Sequence, residues 1–296
     1  MALPRTSVII ANKYLPLMGA LYVSGGLVNG ICALCSKSAK LKDSHFMPKA
    51  VYRSISKGFP EHGQNIVLIN GSDKSAAYTD KQAKKHLLCE DCELKFSKYG
   101  EDKVISSMAR PNGFKLATKI KKFKTLSDVK DEIWYFPPND EIAFNFMYFA
   151  VSIAWRLSIT DWSGFGIPET KNSIRKESMV AFSNYLSGNT VLPENTYLAV
   201  YVDNQIVDTP SMGFPTVKNH DGYQHIVFNI PGIKLSLLAG SNPGAGIRET
   251  FSINTTNVYF VSRSLKTHPD YHFMVNFLKN ESVAKGRLLK ERSKNV

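Results

Sequence analysis

Cys32-Ala-Leu-Cys35 and Cys89-Glu-Asp-Cys92, the second running on into Glu93-Leu-Lys-Phe-Ser-Lys-Tyr-Gly-Glu-Asp-Lys-Val104, are the stretches on which the fold turns. They contain all four cysteines of the chain. Two residues between thiols let both sulfurs face one ion from a tight turn, and two such knuckles complete a tetrahedral shell. A pair of disulfides is the competing arrangement. Four cysteines in 296 residues are too sparse for a disulfide scaffold. Two independent redox pairs with no other cysteine would be unusual. The spacing therefore predicts one structural Zn²⁺ on Cys32, Cys35, Cys89 and Cys92.

The residues after Cys92 carry a helical pattern, with Phe96 and Val104 on one face. A knuckle, a long insertion and a second knuckle opening a helix are the outline of a treble clef. In that outline the helix N-terminus, with free N–H groups, suits phosphate.

Inside the insertion lies Leu41-Lys-Asp-Ser-His45-Phe-Met-Pro48-Lys-Ala-Val-Tyr-Arg53. With the knuckles, it resembles the zinc-bearing branch of the HNH endonucleases over about residues 30 to 105. In that family a Cys-x-x-Cys knuckle precedes an Asp-His-x-x-Pro strand, and a Leu-Cys-x-x-Cys-His segment opens the metal-binding helix. The chain also resembles a group of uncharacterised bacterial proteins sharing Ser-His-x-x-Pro-Lys and Leu-Cys-x-x-Cys-Glu, out to Phe149-Ala-Val-Ser-Ile-Ala-Trp155-Arg156. The resemblance implies a nuclease in which His45 activates water and a catalytic Mg²⁺ or Mn²⁺ stabilises the scissile phosphate. It also implies a place in bacterial anti-phage defence.

This sequence departs from the family at three positions. The acid before the histidine is Ser44, with Asp43 one place earlier. The last histidine of the pattern falls on Glu93, still a competent ligand for a hard cation. The expected orienting Asn falls on Lys84, with Gln82 and His86 nearby. By residue type and position alone, His45 is either a general base or a structural histidine beside the zinc. Glu93 is either a metal ligand or a carboxylate favoured at a helix start.

The formal net charge is +12, from 37 Lys and Arg against 25 Asp and Glu. Most of the excess lies before Trp134, in the half that holds the cysteines. A basic surface attracts polyanions whatever the fold, so nucleic acid is the expected partner, DNA ahead of RNA. Lys84 and Lys85 precede the second knuckle. Lys115, Lys119 and Lys122 share one face of a helix, with Leu116, Ile120 and Phe123 on another. These five lysines are the candidate phosphate contacts, although a lysine run is more often a solvated face.

Leu15 to Ile31 is apolar, but glycines and Pro16 interrupt it and no small-residue cleavage site follows. It reads as buried strands with glycine turns in a cytoplasmic protein without a membrane partner. Residues 141–158 are apolar almost all round, as in a buried helix. A polar helix follows near Ser173 to Leu186. Strands are expected at Tyr197–Val202, Gln224–Ile230, Lys234–Leu238 and Asn257–Arg263, with a hairpin at Ile230-Pro-Gly-Ile233. Lys279 to Lys294 reads as one final helix. Gly240 to Ile247 lacks the Lys-Ser/Thr of a phosphate loop, and His268 and His272 read as an incidental pair. The expected organisation is α+β, with a zinc-stabilised, basic, treble-clef or HNH-like domain over 1–134. A helical and antiparallel-sheet domain would occupy 135–296, offering a surface for a protein partner or a second copy. The expected function is a metal-dependent nuclease; the alternative is a zinc module that binds nucleic acid or a protein without chemistry.

Overall fold

The computed structural model describes residues 7–11, 28–57, 66–71, 73–120, 132–135, 140–165, 167, 170–189, 195–205, 210–252 and 257–293. The first half runs β1 (Ser7–Ala11), β2 (Val28–Ile31), β3 (Ser38–His45), α1 (Lys49–Lys57), β4 (Ile66–Asn70), β5 (Ser75–Thr79) and β6 (Lys84–Cys89). Helices α2 (Glu90–Phe96), α3 (Asp102–Ser107) and α4 (Lys115–Ile120) follow, then β7 (Glu132–Tyr135). The second half comprises α5 (Glu141–Ile159), α6 (Lys176–Ser187), β8 (Tyr197–Asp203), β9 (Ser211–His220), β10 (Tyr223–Ile230) and β11 (Ile233–Gly240). It closes with α7 (Ala245–Ser252), β12 (Val258–Arg263), α8 (Pro269–Asn276), β13 (Val283–Ala284) and α9 (Gly286–Arg292).

The protein is α+β, as the element pattern predicts, but its main sheet is mixed and not antiparallel. Ten strands lie in the order β13-β5-β4-β1-β9-β10-β11-β8-β12-β7. Of the expected strands, β8, β10 and β11 form its antiparallel centre together with β9, a strand the sequence pattern did not announce. The Pro231–Gly232 turn joins β10 to β11, and Gly232 has φ +77. A Cβ there would meet the Ala109 Cβ at 2.7 Å, so glycine is required by both conformation and space. On one flank β8 pairs parallel with β12; on the other β9 pairs parallel with β1 and β1 with β4. The sheet therefore crosses the boundary expected at 134/135, and one hydrophobic cluster runs from Cys32 to Phe260.

Helix α5 explains why the halves share a core. Asp140 caps it, accepting the Ile142 N–H at 2.7 Å. Its apolar residues point in every direction, so every side needs cover. By length and composition it could cross a membrane, yet 83% of that stretch is buried inside the protein. The main sheet lies beneath it, with Phe149 against Phe228 of β10 and Phe146 against Phe260 of β12. The helical run from Glu90 to Ser107 covers it from above, through a π turn at Ser97–Glu101. Gly100 sits in that turn because a Cβ would come within 3.2 Å of the Phe149 backbone.

Two further expectations need correction. Of Leu15 to Ile31, residues 15–27 lie outside the described residues. The remainder, β2, is an edge strand with Ile31 63% exposed, not a buried strand. Among the described residues, its one strand neighbour is β3. The expected C-terminal helix is broken: a π turn at Phe277–Glu281 ends, β13 pairs parallel with β5, and α9 begins at Gly286. Phe277, Ala284 and Leu288 bury themselves against Val67, Ile69 and Ala76, which a single straight helix could not do.

Candidate metal centre and the histidine face beside it

The four cysteines converge. Strand β3 pairs antiparallel with β2 and β6, which sets the first knuckle beside the second. The ligand atoms of Cys32, Cys35, Cys89 and Cys92 all lie within 4.8 Å of one another, and Cys35 Sγ is 3.7 Å from Cys89 Sγ. A tetrahedron with Zn–S bonds of about 2.3 Å has edges of about 3.8 Å. The set is compatible with a structural zinc ion, and all four thiols are free.

Local backbone geometry prepares the site. The Cys89 N–H donates to Cys32 Sγ at 3.4 Å, and the Ser36 N–H donates to the Cys32 carbonyl at 2.9 Å. Pairing between β3 and β6 slips by one at Leu87, a bulge that lies between the Lys42–Leu88 and Asp43–His86 pairs. The Leu87 carbonyl accepts the Ala33 N–H at 2.9 Å, tying β6 to the first knuckle. Burial alone would raise the Cys32 thiol, but N–H groups of Cys35, Cys89 and Leu34 outweigh it and bring the group down to about 7. Burial and the neighbouring sulfurs push Cys92 up. Sulfurs crowded this way oppose a second negative charge, which a dication neutralises.

Directly paired residues share a face of an antiparallel sheet, and neighbours along a strand alternate. Asp43 and His45 are therefore on one face of β3, with His86 and Lys84 opposite them on β6. Lys84 forms an ion pair with Asp43. The Gln82 side chain lies beside His45 and favours its protonated form. Burial, with the charges of Lys84 and Lys49, holds His45 below the usual histidine range against the opposing pull of Asp43 and Gln82. At neutral pH its imidazole is uncharged and half-buried. Gln82 precedes β6 (Lys84–Cys89) in the chain, and only the path of that segment brings it beside His45.

Ser44, 1% exposed, faces the other way and accepts the Leu88 N–H at 3.2 Å. Glu93 is on that side. Burial raises its carboxyl above the usual range, while Arg156 and the Ser44 hydroxyl oppose the rise. Its Oε1 is buried without a hydrogen-bond partner. Among the described residues, the four cysteines are the one group of three or more His, Cys, Asp or Glu ligands within reach of a single ion. His45 and Glu93 belong to no such group, and they face opposite sides of β3.

The candidate phosphate lysines divide among three places. Lys84 is tied to Asp43 on the histidine face. Lys85, its neighbour, is on the opposite face, with Nζ 5.8 Å from the Trp162 ring centroid. Lys115 and Lys119 are exposed on α4 and line a separate cleft with Arg110 and Asn112. Lys122 lies outside the described residues. The start of α2 suits phosphate less than the knuckle outline suggests, since Glu90, Asp91 and Glu93 already complement its dipole. Helix α1 begins at Lys49, just after His45, and carries no acid in its first turn, so its N-terminal dipole is uncompensated by its own side chains.

No protein-family model, curated protein or solved structure matches this chain.

Proposed function

We propose that the zinc-pinned hairpin and helix form a treble clef of HNH type that binds the phosphate backbone of nucleic acid, DNA ahead of RNA. The contact surface is the face carrying His45. The observation that carries the reading is the β3–β6 register, which gathers His45 and Lys84 on one face at the approach to α1 and Lys49. A backbone phosphate there meets lysine ammonium groups, free N–H groups at the start of α1 and a neutral imidazole N–H. Zinc takes no part in that contact; it fixes the hairpin register.

Fluorescence anisotropy with labelled duplex DNA, single-stranded DNA and RNA tests this. Binding should weaken steeply with salt, since each neutralised phosphate releases counterions. Lys49→Glu should weaken every substrate and reduce the salt slope by about 1. Absence of salt-sensitive binding by the zinc-loaded protein would end the proposal.

Phosphodiester hydrolysis is the second reading. One observation favours it: His45 is neutral near physiological pH, as a general base must be, with Asp43 and Gln82 to orient it. Its test is cutting of plasmid and single strands with Mg²⁺, Mn²⁺ or EDTA, by the protein and by His45→Ala with equal zinc content. Cutting that the variant loses would establish the chemistry. Binding without cutting by either protein would leave a binding module.

A further inference from the structure

Gln82 has a second setting. It helps line a cleft of about 700 Å³ between α1, β5 and the C-terminal β13–α9 segment, with Tyr52, Ser56, Tyr78, Lys285 and Arg287 among the other lining residues. The cleft is therefore adjacent to the histidine face through a shared side chain, although its C-terminal wall is more than 180 residues away in sequence.

Its chemistry is specific. Tyr52 is 1% exposed, and its hydroxyl has no hydrogen-bond partner; the Ala83 backbone lies near it outside hydrogen-bonding geometry. A buried hydroxyl left this way costs free energy that a ligand atom or water recovers. Tyr78 offers a ring, and the Arg287 guanidinium stands 4.8 Å from its centroid. Lys285 is held at the rim by Asp73 at 2.9 Å. Ile66 and Ala77 add apolar surface, and Asp80 is the one acid in the lining. A simple anion would leave the rings and apolar wall unused, and an aliphatic ligand would strand the hydroxyls and the amide. A flat heteroaromatic ring attached to phosphate uses all of them: stacking on Tyr78 and Arg287, edge contacts to Tyr52 and Gln82, and Lys285 for the charge.

We propose that this cleft captures one unstacked base of a single-stranded nucleic acid whose backbone crosses the His45 face. The proposal rests on the nucleic-acid reading above and adds to it a preference for single strands, or for duplexes with a displaced base. Base pairing in an intact duplex would keep the base out of the cleft.

The test compares binding of a short single-stranded oligonucleotide and its duplex to the zinc-loaded protein, Tyr78→Ala and Arg287→Ala. Calorimetry with AMP is run beside it, and thermal melts confirm folding. Arg287 is exposed, so its variant keeps the test open if Tyr78→Ala fails to fold. We expect each variant to bind the single strand about tenfold more weakly while duplex binding holds, as loss of one base–aromatic stack would give. An equal loss on both substrates, or no loss, would overturn base capture and leave the backbone reading standing. If the protein binds no oligonucleotide yet binds AMP in a Tyr78-dependent way, the cleft stands and the backbone reading falls. Binding of neither would overturn both.

Discussion

Arg156 of α5 donates from Nη2 to Glu101 Oε1 at 2.6 Å, and the two side chains are only 1% and 16% exposed. This ion pair clamps the helical run that carries Cys92 onto the central helix. The guanidinium also lies 4.7 Å from the Phe96 ring centroid. Its Nε and Nη1 have no hydrogen-bond partner, so the pair with Glu101 carries most of the compensation for burying this charge.

Glu101→Ala should therefore destabilise the protein strongly. Removing one partner of a buried pair leaves an uncompensated charge, typically at a cost of about 3–5 kcal/mol. We expect about 3 kcal/mol, at the low end of that range, because the Glu93 carboxylate still faces Arg156. Adding Arg156→Met should recover much of the loss, since an apolar side chain there needs no counter-charge. Urea denaturation of the three variants measures both quantities.

The zinc site gives a stoichiometric expectation. Metal analysis of the purified chain should find one zinc per molecule, and Cys35→Ser or Cys92→Ser should remove it. Chelation should lower the melting temperature by roughly 10 °C, equivalent to several kcal/mol for a chain of this size. Unchanged melting after complete removal of the metal would contradict a structural role.

The pH dependence follows from His45. Its folded-state pKa is lowered, so the imidazole is neutral at pH 7 and gains a proton only below the ordinary histidine range. Each protonated His45 adds one positive charge to the phosphate-facing surface. Oligonucleotide affinity should rise as pH falls below about 6.5, and His45→Gln should flatten that rise. Stability should run the opposite way. The unfolded chain binds this proton more readily, so the contribution of His45 is complete above the unfolded pKa and is lost as pH falls toward the folded one.

Phe96 and Leu94 make a paired control. Phe96 is fully buried, with Trp155 and Tyr148 at 5.8 and 6.0 Å between ring centroids, whereas Leu94 is 61% exposed. Phe96→Ala should cost about 3–5 kcal/mol. Leu94→Ala should stay within about 0.5 kcal/mol. Similar losses from both would mean that this helix is docked differently.

What the sequence made legible was local. The four-cysteine cluster announces itself because two residues between thiols is a short-range geometric constraint. The Ile230-Pro-Gly-Ile233 hairpin and the buried α5 are similarly written in consecutive residues. The main sheet was less accessible. Strands β1, β4 and β5 are short; β4 and β5 form a local hairpin, but the parallel pairings of β1 with β4 and β9 and of β13 with β5 are long-range and no local pattern encodes them. The candidate site depended on details finer still. Lys84 and Lys85 are neighbours in sequence but belong to opposite faces, and the bulge at Leu87 resets which side chains of β6 oppose those of β3. Gln82 reaches His45 from outside either strand. Residue types suggested the chemistry; register decides which of them meet.

The place of β1 between β4 and β9 has a consequence during synthesis. All four cysteines have left the ribosome once Cys92 has, so zinc can load early. The aromatic faces of Phe46 and Phe96 must then wait for Trp155, Trp162 and Phe214, and β1 waits for Ser211 to Gly213 before its second edge is covered. A nascent chain stalled near the middle would carry a metal-bound head with no lid over its apolar side. Gene fragments divided at 134/135 should accordingly be insoluble when expressed separately and recover solubility when expressed together.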